Sequence, residues 1–172
     1  MAMFEAIVGT EGRRLFLPTY LRFETLEMTR DPHFQALEKM YLDAPINAFY
    51  DPRIEVSDAE AIVEIEVSER LFHSAQAVHG SVYFKMLDDA AFFAASSLEK
   101  EVFVLTTSFT TYLTRPVSSG LLRSVGRVVN QNKSQLIAEA VVYDAQGNEV
   151  GRGSGIFVRG RVPLLEVPGY TP

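Results

Sequence analysis

Hydrophobic and polar residues alternate through the second half of the chain, in four runs that short polar segments separate. A period of two is typical of β-strands with one buried face, since successive side chains point to opposite sides of a sheet. The pattern therefore predicts four consecutive antiparallel strands, over residues 102–114, 121–129, 136–143 and 150–158. In the first of them it predicts one apolar and one polar face, formed by Phe103, Leu105, Phe109 and Leu113 and by Thr106, Ser108, Thr110 and Tyr112.

Two further strands and a helix are predicted upstream. Residues 61–67 alternate acidic and apolar side chains, and residues 49–56 can pair with them around the turn at Ser57 and Asp58. Residues 81–100 contain neither Gly nor Pro and are apolar on nearly every side, which is typical of a helix buried on most faces. A helix of about 18 residues spans roughly 27 Å, enough to cross a sheet.

The predicted order is two strands, a long helix and four strands. This order favours an α+β fold in which an antiparallel sheet wraps around a central helix. We assign residues 46–160 to this domain, residues 1–45 to an N-terminal extension and residues 161–172 to a C-terminal tail. Within the extension, residues 33–42 have helical spacing, whereas residues 1–29 show no firm periodicity.

Composition excludes several classes of function. The chain of 172 residues has no cysteine, which excludes a disulfide scaffold and a thiolate nucleophile, and its net charge of −6 disfavours a general nucleic-acid binder. No apolar run is long enough to span a membrane and the start of the chain has no secretory pattern, so we expect a cytoplasmic protein. The spacing of the three histidines and the absence of a phosphate-binding loop imply no metal and no cofactor.

Two adjacent carboxylates in the predicted helix have different surroundings. Asp89 lies one turn after Lys85, an ordinary i,i+4 ion pair, so we expect it to be structural. Asp88 projects among apolar residues without a local cation, where a carboxylate is costly unless it is hydrogen-bonded. A functional role for Asp88 is therefore expected, the alternative being a carboxylate satisfied by a backbone group or at the edge of the helix.

The start of this helix is a second candidate site. Gly80 or Ser81 would cap the helix, and the first N–H groups lack partners within it. Free N–H groups and the positive end of the helix dipole favour a developing oxyanion. The alternative is that Gly80 and Ser81 do no more than start the helix.

The segment HGSVYFKMLDDAAFFAA resembles the His-Gly-Gly motif and following helix of hotdog-fold acyl-CoA thioesterases of the phenylacetate-pathway (PaaI-like) type. The segment LTTSFTTYLTRPV resembles their central strand, and RSVGRVV and GRGSGIFV resemble their last strands. The similarity covers residues 46–160. It implies a hotdog fold and an acyl-CoA substrate, with the site between the subunits of a homodimer or a tetramer.

The resemblance implies a role for each matching position. Asp88 matches the carboxylate that activates water or attacks the thioester, and Gly80 matches the residue whose N–H polarises the carbonyl. Thr106 matches a hydroxyl that helps to hold the water, which we expect a neighbouring subunit to supply.

Two positions depart from the family pattern. His73 stands where the family usually has Asn or Gln; it can replace the amide as a catalytic positioning group, or it can be an inert loop residue. Ser81 stands where the family has a second Gly, which affects how closely the substrate approaches. Ser81, His79 and Val82 are the substrate-binding candidates at the start of the helix. We expect the His79 side chain to fix the loop.

Four basic residues near the last strands are candidates for the CoA phosphates, although each alone is typical of a solvated surface charge: Lys133, Arg152, Arg159 and Arg161. The expected function is hydrolysis of an acyl-CoA to a free acid and CoA. Two alternatives stay open, an acyl-CoA binding or sensing module and a hotdog hydratase or dehydratase that uses His73 with Asp88. The acyl group, the oligomeric state and the role of residues 1–45 are not determined by the sequence.

Overall fold

The computed structural model describes residues 4–8, 14–18 and 30–172, in two compact units, Met1–Pro32 and His33–Pro172. In the first unit, β1 (Phe4–Val8) pairs antiparallel with β2 (Arg14–Pro18), in a region where the sequence pattern predicted no element. The expectation that the chain starts without a secretory signal concerns residues that lie largely outside this description.

The second unit follows the predicted order of strands and helices. Two short helices precede the sheet, and 3-10 turns occupy Glu69–Leu71 and Leu164–Glu166. The elements are α1 (Pro32–Asp43), α2 (Asn47–Tyr50), β3 (Arg53–Ser57), β4 (Glu60–Glu66), α3 (Gly80–Ser96), β5 (Val102–Leu113), β6 (Leu121–Gln131), β7 (Gln135–Tyr143) and β8 (Glu149–Pro163).

Strands β3 to β8 form one antiparallel sheet in the order β3-β4-β6-β7-β8-β5, with α3 packed against it. The predicted α+β fold, an antiparallel sheet around a central helix, is therefore confirmed. Three boundaries differ from the expectation by more than two residues. The central helix, expected over residues 81–100, ends at Ser96. Helix α2 occupies part of the segment expected to begin the first strand, and β8 continues five residues past residue 158, so that the expected tail starts within a strand.

Helix α3 is buried on most of its faces, as its composition predicted. Met86, Leu87 and Ala90 are fully buried. A Cβ added to Gly126 on β6 would lie 2.2 Å from the carbonyl carbon of Ala90, so the backbones of the sheet and the helix touch at that point. No helix among residues 30–172 has the length and hydropathy to cross a membrane.

A β-bulge in β5 overturns the predicted alternation of that strand. Thr106 pairs with Phe157 and Ser108 with Ile156, which leaves Thr107 as the extra residue. The Thr107 hydroxyl donates to the Ile156 carbonyl at 3.1 Å. Because one residue is added, side chains on opposite predicted faces, Thr106 and Phe109, both reach α3.

The end of the chain packs beside α1. His33 is 4% exposed; its Nε2 donates to the Ser96 carbonyl at 3.0 Å and its Nδ1 accepts from the Tyr170 hydroxyl at 2.7 Å. This imidazole joins α1, the last residue of α3 and the C-terminal segment, so it has a structural role.

Candidate active site

Asp88 lies in the middle of α3 with a half-buried side chain. The Thr106 hydroxyl donates a hydrogen bond to its Oδ1 at 3.1 Å. Burial raises the pKa of Asp88 to about 6; the hydrogen bond from Thr106 lowers it, the charge of Asp89 raises it and the charge of Lys85 lowers it. Asp88 is thus a carboxylate poised to exchange a proton near neutral pH, as a general base requires.

Thr106 reaches Asp88 within one chain, whereas we expected a neighbouring subunit to supply this hydroxyl. Thr106 lies two residues after the buried Val104, so its side chain is on the face of β5 that packs against α3 of the same chain. The expectation rested on the family resemblance, which implied that the Thr106 face of the strand meets the helix of a partner.

Asp89 has the structural partners that were expected, and one more. Lys85 Nζ lies 2.5 Å from Asp89 Oδ2, and the Tyr41 hydroxyl of α1 donates to the same oxygen at 2.7 Å. Burial and the charge of Asp89 raise the pKa of Tyr41, so its phenol stays protonated. Sequence reasoning missed Tyr41, because a contact between residues 48 positions apart leaves no local signal.

A cavity of about 540 Å³ opens beside these carboxylates. Its wall is mainly apolar and comes from α1 and the connection to α2, from α3, from the start of β5 and from the C-terminal segment. The lining residues are Met40, Tyr41, Asp43, Ala44, Pro45, Ile46, Asn47, Lys85, Asp88, Asp89, Phe92, Phe93, Phe103, Val104, Leu105, Thr106, Val167 and Pro168.

The start of α3 presents backbone N–H groups. His79 caps the helix, in place of the expected Gly80 or Ser81, since its Nδ1 accepts from the Ser81 N–H at 3.1 Å and lies 2.7 Å from the Ser81 hydroxyl. The expectation that His79 fixes the loop agrees with this contact. Among the described residues, none accepts a hydrogen bond from the Gly80 N–H.

Gly80 and Asp88 lie far apart on one helix. Eight residues at a rise of 1.5 Å separate them by about 12 Å along the axis. One carbonyl cannot contact both groups at hydrogen-bond distance. Within one chain, the Asp88 carboxylate and the Gly80 N–H therefore do not converge on one atom.

Residues 75–151 match the family model of the thioesterase superfamily. The matched residues include Gly80, Asp88 and Thr106, but neither His73 nor the connection between α1 and α2.

Solved structures share the fold at low identity. The PaaI protein of the phenylacetic acid degradation operon of E. coli is 19% identical, with a TM-score of 0.70 over 77% of this chain and 96% of that one. A point mutant of the thioesterase PA1618 from Pseudomonas aeruginosa is 15% identical, with a TM-score of 0.67 over 79% and 96%. The thioesterase HI1161 from Haemophilus influenzae is 14% identical, with a TM-score of 0.62 over 70% and 85%. The hotdog fold expected from the sequence is confirmed. No protein of curated function matches the chain at a significant level.

His73 lies in the tight loop that precedes α3. Its Nδ1 accepts from the Ala75 N–H at 3.0 Å, so the neutral ring carries its proton on Nε2 as a donor. Its ring centroid lies 6.5 Å from that of His79, which places it at the Gly80 end of α3 rather than beside Asp88 of the same chain. Val82 is 3% exposed and its N–H donates to the His79 carbonyl at 3.0 Å, so its side chain belongs to the core of the fold.

The four basic candidates for the CoA phosphates do not line the cavity. Arg152 forms two hydrogen bonds with Glu149, at 2.6 and 2.8 Å, and Arg159 donates to Glu99 at 2.5 Å, so both side chains are engaged in the fold. Lys133 and Arg161 are exposed and form no ion pair with any residue that the structure describes.

Proposed function

We propose that the protein is an acyl-CoA thioesterase in which Asp88 acts as the general base. The observation that carries the proposal is the position of Asp88, half-buried with a pKa of about 6, hydrogen-bonded by Thr106 and facing an apolar cavity. The match of residues 75–151 to the family model of the thioesterase superfamily supports the reaction type. A cytoplasmic location and the absence of nucleic-acid and membrane partners are predictions from the sequence.

In the proposed step, Asp88 takes a proton from a water molecule that the Thr106 side chain helps to hold. The water oxygen attacks the thioester carbonyl carbon, and the tetrahedral oxyanion accepts a hydrogen bond from the Gly80 N–H. The carbon–sulfur bond then breaks, and the CoA sulfur leaves as the thiolate or takes up the proton. The products are a free carboxylic acid and CoA.

Direct attack by Asp88 on the carbonyl is the alternative chemistry, and isotope labelling separates the two. A single turnover in ¹⁸O-water places the label in the free acid if water attacks first. Direct attack gives an anhydride, whose hydrolysis at the Asp88 carbon places the label in the Asp88 carboxyl. Mass spectrometry of the peptide that contains Asp88 detects the second outcome.

We propose that a second copy of the chain supplies Gly80 and His73 to each Asp88. The separation of about 12 Å between Gly80 and Asp88 on one helix supports this arrangement. The outer edge of β5 is unpaired within the sheet, and apolar side chains near it are about half exposed. An open edge with such side chains favours pairing with another copy. The side chains are those of Phe84, Leu105, Tyr112 and Leu113.

Release of CoA thiol tests the reaction, on acetyl-, hexanoyl-, decanoyl-, palmitoyl- and phenylacetyl-CoA. We expect wild-type turnover on part of the panel and its loss in Asp88→Asn with acyl-CoA binding retained. Binding without turnover in the wild-type protein would instead identify an acyl-CoA binding module. A change in the acyl chain with CoA still attached would identify a hydratase or dehydratase.

Mixing two inactive variants tests the shared site. Gly80→Pro removes the N–H at the first helical position, where Pro is tolerated. If each site takes Asp88 from one copy and Gly80 from the other, Asp88→Asn and Gly80→Pro chains exchanged into one dimer restore one intact site. If the mixture is as inactive as each variant alone, although native mass spectrometry shows that the chains have exchanged, the shared site is contradicted.

A further inference from the structure

The cavity beside Asp88 suits the acyl end of a thioester rather than its CoA end. It is lined mostly by aliphatic and aromatic side chains, and its ionised lining includes Asp88 and Asp89. CoA carries phosphates, which need cations. The cation Lys85 is already paired with Asp89 at 2.5 Å, so the charge of the cavity excludes the nucleotide and favours an apolar group.

The same charges discriminate among acyl groups. Lys85 is also held between the rings of Tyr41 and Tyr50, with its Nζ 5.1 Å from each centroid. A carboxylate at the end of an acyl chain would therefore enter a cavity lined by Asp43, Asp88 and Asp89, without an available counter-ion from Lys85. An uncharged acyl group meets no such penalty.

One wall of the cavity comes from the connection between α1 and α2, residues 44–46, which we call the connection wall. It lies outside residues 75–151, the part that matches the superfamily. The Tyr41 carbonyl accepts from the Ala44 N–H at 3.2 Å and from Asn47 Nδ2 at 2.5 Å. The connection is thus held at both of its ends by one carbonyl.

Helix α1 is in turn fixed on the helix that carries Asp88. The Tyr41 hydroxyl donates to Asp89, and the Tyr41 ring packs edge-on against Phe93 with centroids 5.1 Å apart. The connection wall therefore has a set position relative to Asp88. A pocket of fixed size, rather than an adaptable surface, follows from these contacts.

We propose that the connection wall, with Ile46 at its centre, sets the size of an uncharged, apolar acyl group whose carbonyl lies at Asp88. The proposal rests on the proposed thioesterase function and adds to it the class of acyl group and the residues that select it. Pocket size decides such selection because each methylene that is gained or lost in an apolar site changes kcat/KM by roughly 10- to 200-fold.

Ile46 and Leu42 offer a matched pair for the test. Ile46 lines the cavity and is 60% exposed, whereas Leu42 of α1 does not line it and is 50% exposed. Tryptophan at either position adds a similar volume at a solvent-facing place, so both variants are expected to fold, which thermal melting checks. Ile46→Trp fills part of the cavity, Ile46→Ala enlarges it and Leu42→Trp is the control.

The measurement is kcat/KM for acetyl-, hexanoyl-, decanoyl- and palmitoyl-CoA. We expect Ile46→Trp to lower the value for the longest substrate that the wild-type protein cleaves by about tenfold or more, relative to acetyl-CoA. Ile46→Ala should move the optimum towards longer chains, and Leu42→Trp should leave the profile unchanged. Pentanoyl-CoA should be preferred over glutaryl-CoA, which has the same chain length and a terminal carboxylate.

The outcomes separate this proposal from the function on which it rests. Suppose that the wild-type protein cleaves thioesters. If Ile46→Trp and Leu42→Trp then keep its chain-length profile, or if glutaryl-CoA is preferred over pentanoyl-CoA, the proposal about the wall is overturned and the thioesterase function stands. If no thioester is cleaved, the thioesterase function fails, and the dissociation constants of the same acyl-CoAs test the connection wall. A dependence of these constants on chain length that changes in Ile46→Trp but not in Leu42→Trp supports the wall. No binding, or no such change, overturns both.

Discussion

The two faces of α3 on which Asp88 and Asp89 lie show how neighbouring carboxylates acquire different roles. Asp88 is half-buried and Asp89 is buried more deeply, and burial raises the pKa of each. Asp89 accepts from Lys85 and from the Tyr41 hydroxyl, so its charge is compensated. Among the residues that the structure describes, Asp88 accepts from a single neutral hydroxyl, that of Thr106. The difference teaches that the partner, more than the depth of burial, separates a charge-compensated carboxylate from an uncompensated one; the uncompensated one, Asp88, is the base of the proposed mechanism.

The strongest test of this contrast is Asp88→Asn. We expect kcat to fall by about 10²- to 10⁴-fold, because an amide cannot take a proton from water. Thiol release from the best substrate of the panel measures the loss. Asp88→Asn should still bind acyl-CoA, since its shape is unchanged. A variant that keeps near wild-type turnover would remove Asp88 from the proposed mechanism.

The same substitution should stabilise the fold at neutral pH. The pKa of Asp88 in the folded protein, about 6, exceeds the ordinary value of 3.8, so ionisation disfavours folding. The free energy of unfolding of the wild-type protein should therefore decrease as the pH rises from about 4 to about 6. At pH 7, Asp88→Asn should be more stable than the wild type by roughly 2 kcal/mol, allowing for the partial exposure of Asp88. Urea unfolding at both pH values measures the difference, which should vanish at pH 4.

Asp89→Asn should have the opposite effect on stability. Lys85, with a side chain only 13% exposed, would lose its counter-ion, and we expect the free energy of unfolding to fall by about 2–3 kcal/mol. Removal of the Asp89 charge also lowers the pKa of Asp88, so the acid limb of activity should move to lower pH. Unchanged stability in Asp89→Asn would mean that the pair contributes nothing to the fold.

The pH dependence of the wild-type enzyme is the next largest effect. If ionised Asp88 is the base, kcat/KM should fall roughly tenfold between about pH 7 and pH 5, with a midpoint near 6. The midpoint belongs to Asp88 together with Lys85, Asp89 and Thr106, which surround it. A flat profile over this range, in an enzyme shown to stay folded, would contradict the assignment of the base.

Thr106→Val should have the smallest effect. Loss of the hydroxyl removes the hydrogen bond that lowers the pKa of Asp88, so the acid limb should shift to higher pH while kcat falls by a few-fold to roughly tenfold. Thr106→Ser, which keeps the hydroxyl, is the control and should retain the wild-type limb. An identical pH profile in Thr106→Val would show that the hydrogen bond does not tune Asp88.

Local patterns were sufficient to predict most of the fold. The central helix, the strands and their order follow from apolar periodicity and turn residues, and the pairing of Asp89 with Lys85 follows from helical geometry. Asp88 stood out for the same reason, because the helix face predicted an apolar setting. Lys85, three residues earlier, was assigned to Asp89 alone, although its charge also lowers the pKa of Asp88.

The rest depended on contacts between distant residues. Tyr41 joins Asp89 across 48 positions, and the connection wall faces Asp88 only because α1 is docked on α3. The cap at His79 was missed because Gly and Ser are the more usual residues at such a position. The bulge at Thr107 was missed because alternation assumes a regular ladder, and an added residue leaves the composition of a strand unchanged.

The bulge also makes β5 sensitive to the number of its residues, not only to their identity. Deletion of Thr107 would restore a regular ladder and turn either Thr106 or everything from Ser108 onwards to the other side of the sheet. Phe109, whose ring fills the space above Gly153 and Gly155, could then no longer share a side with Thr106. Insertions and deletions between residues 106 and 109 should therefore be tolerated far less than substitutions, and a sequence alignment with a gap there would pair the wrong hydroxyl with Asp88.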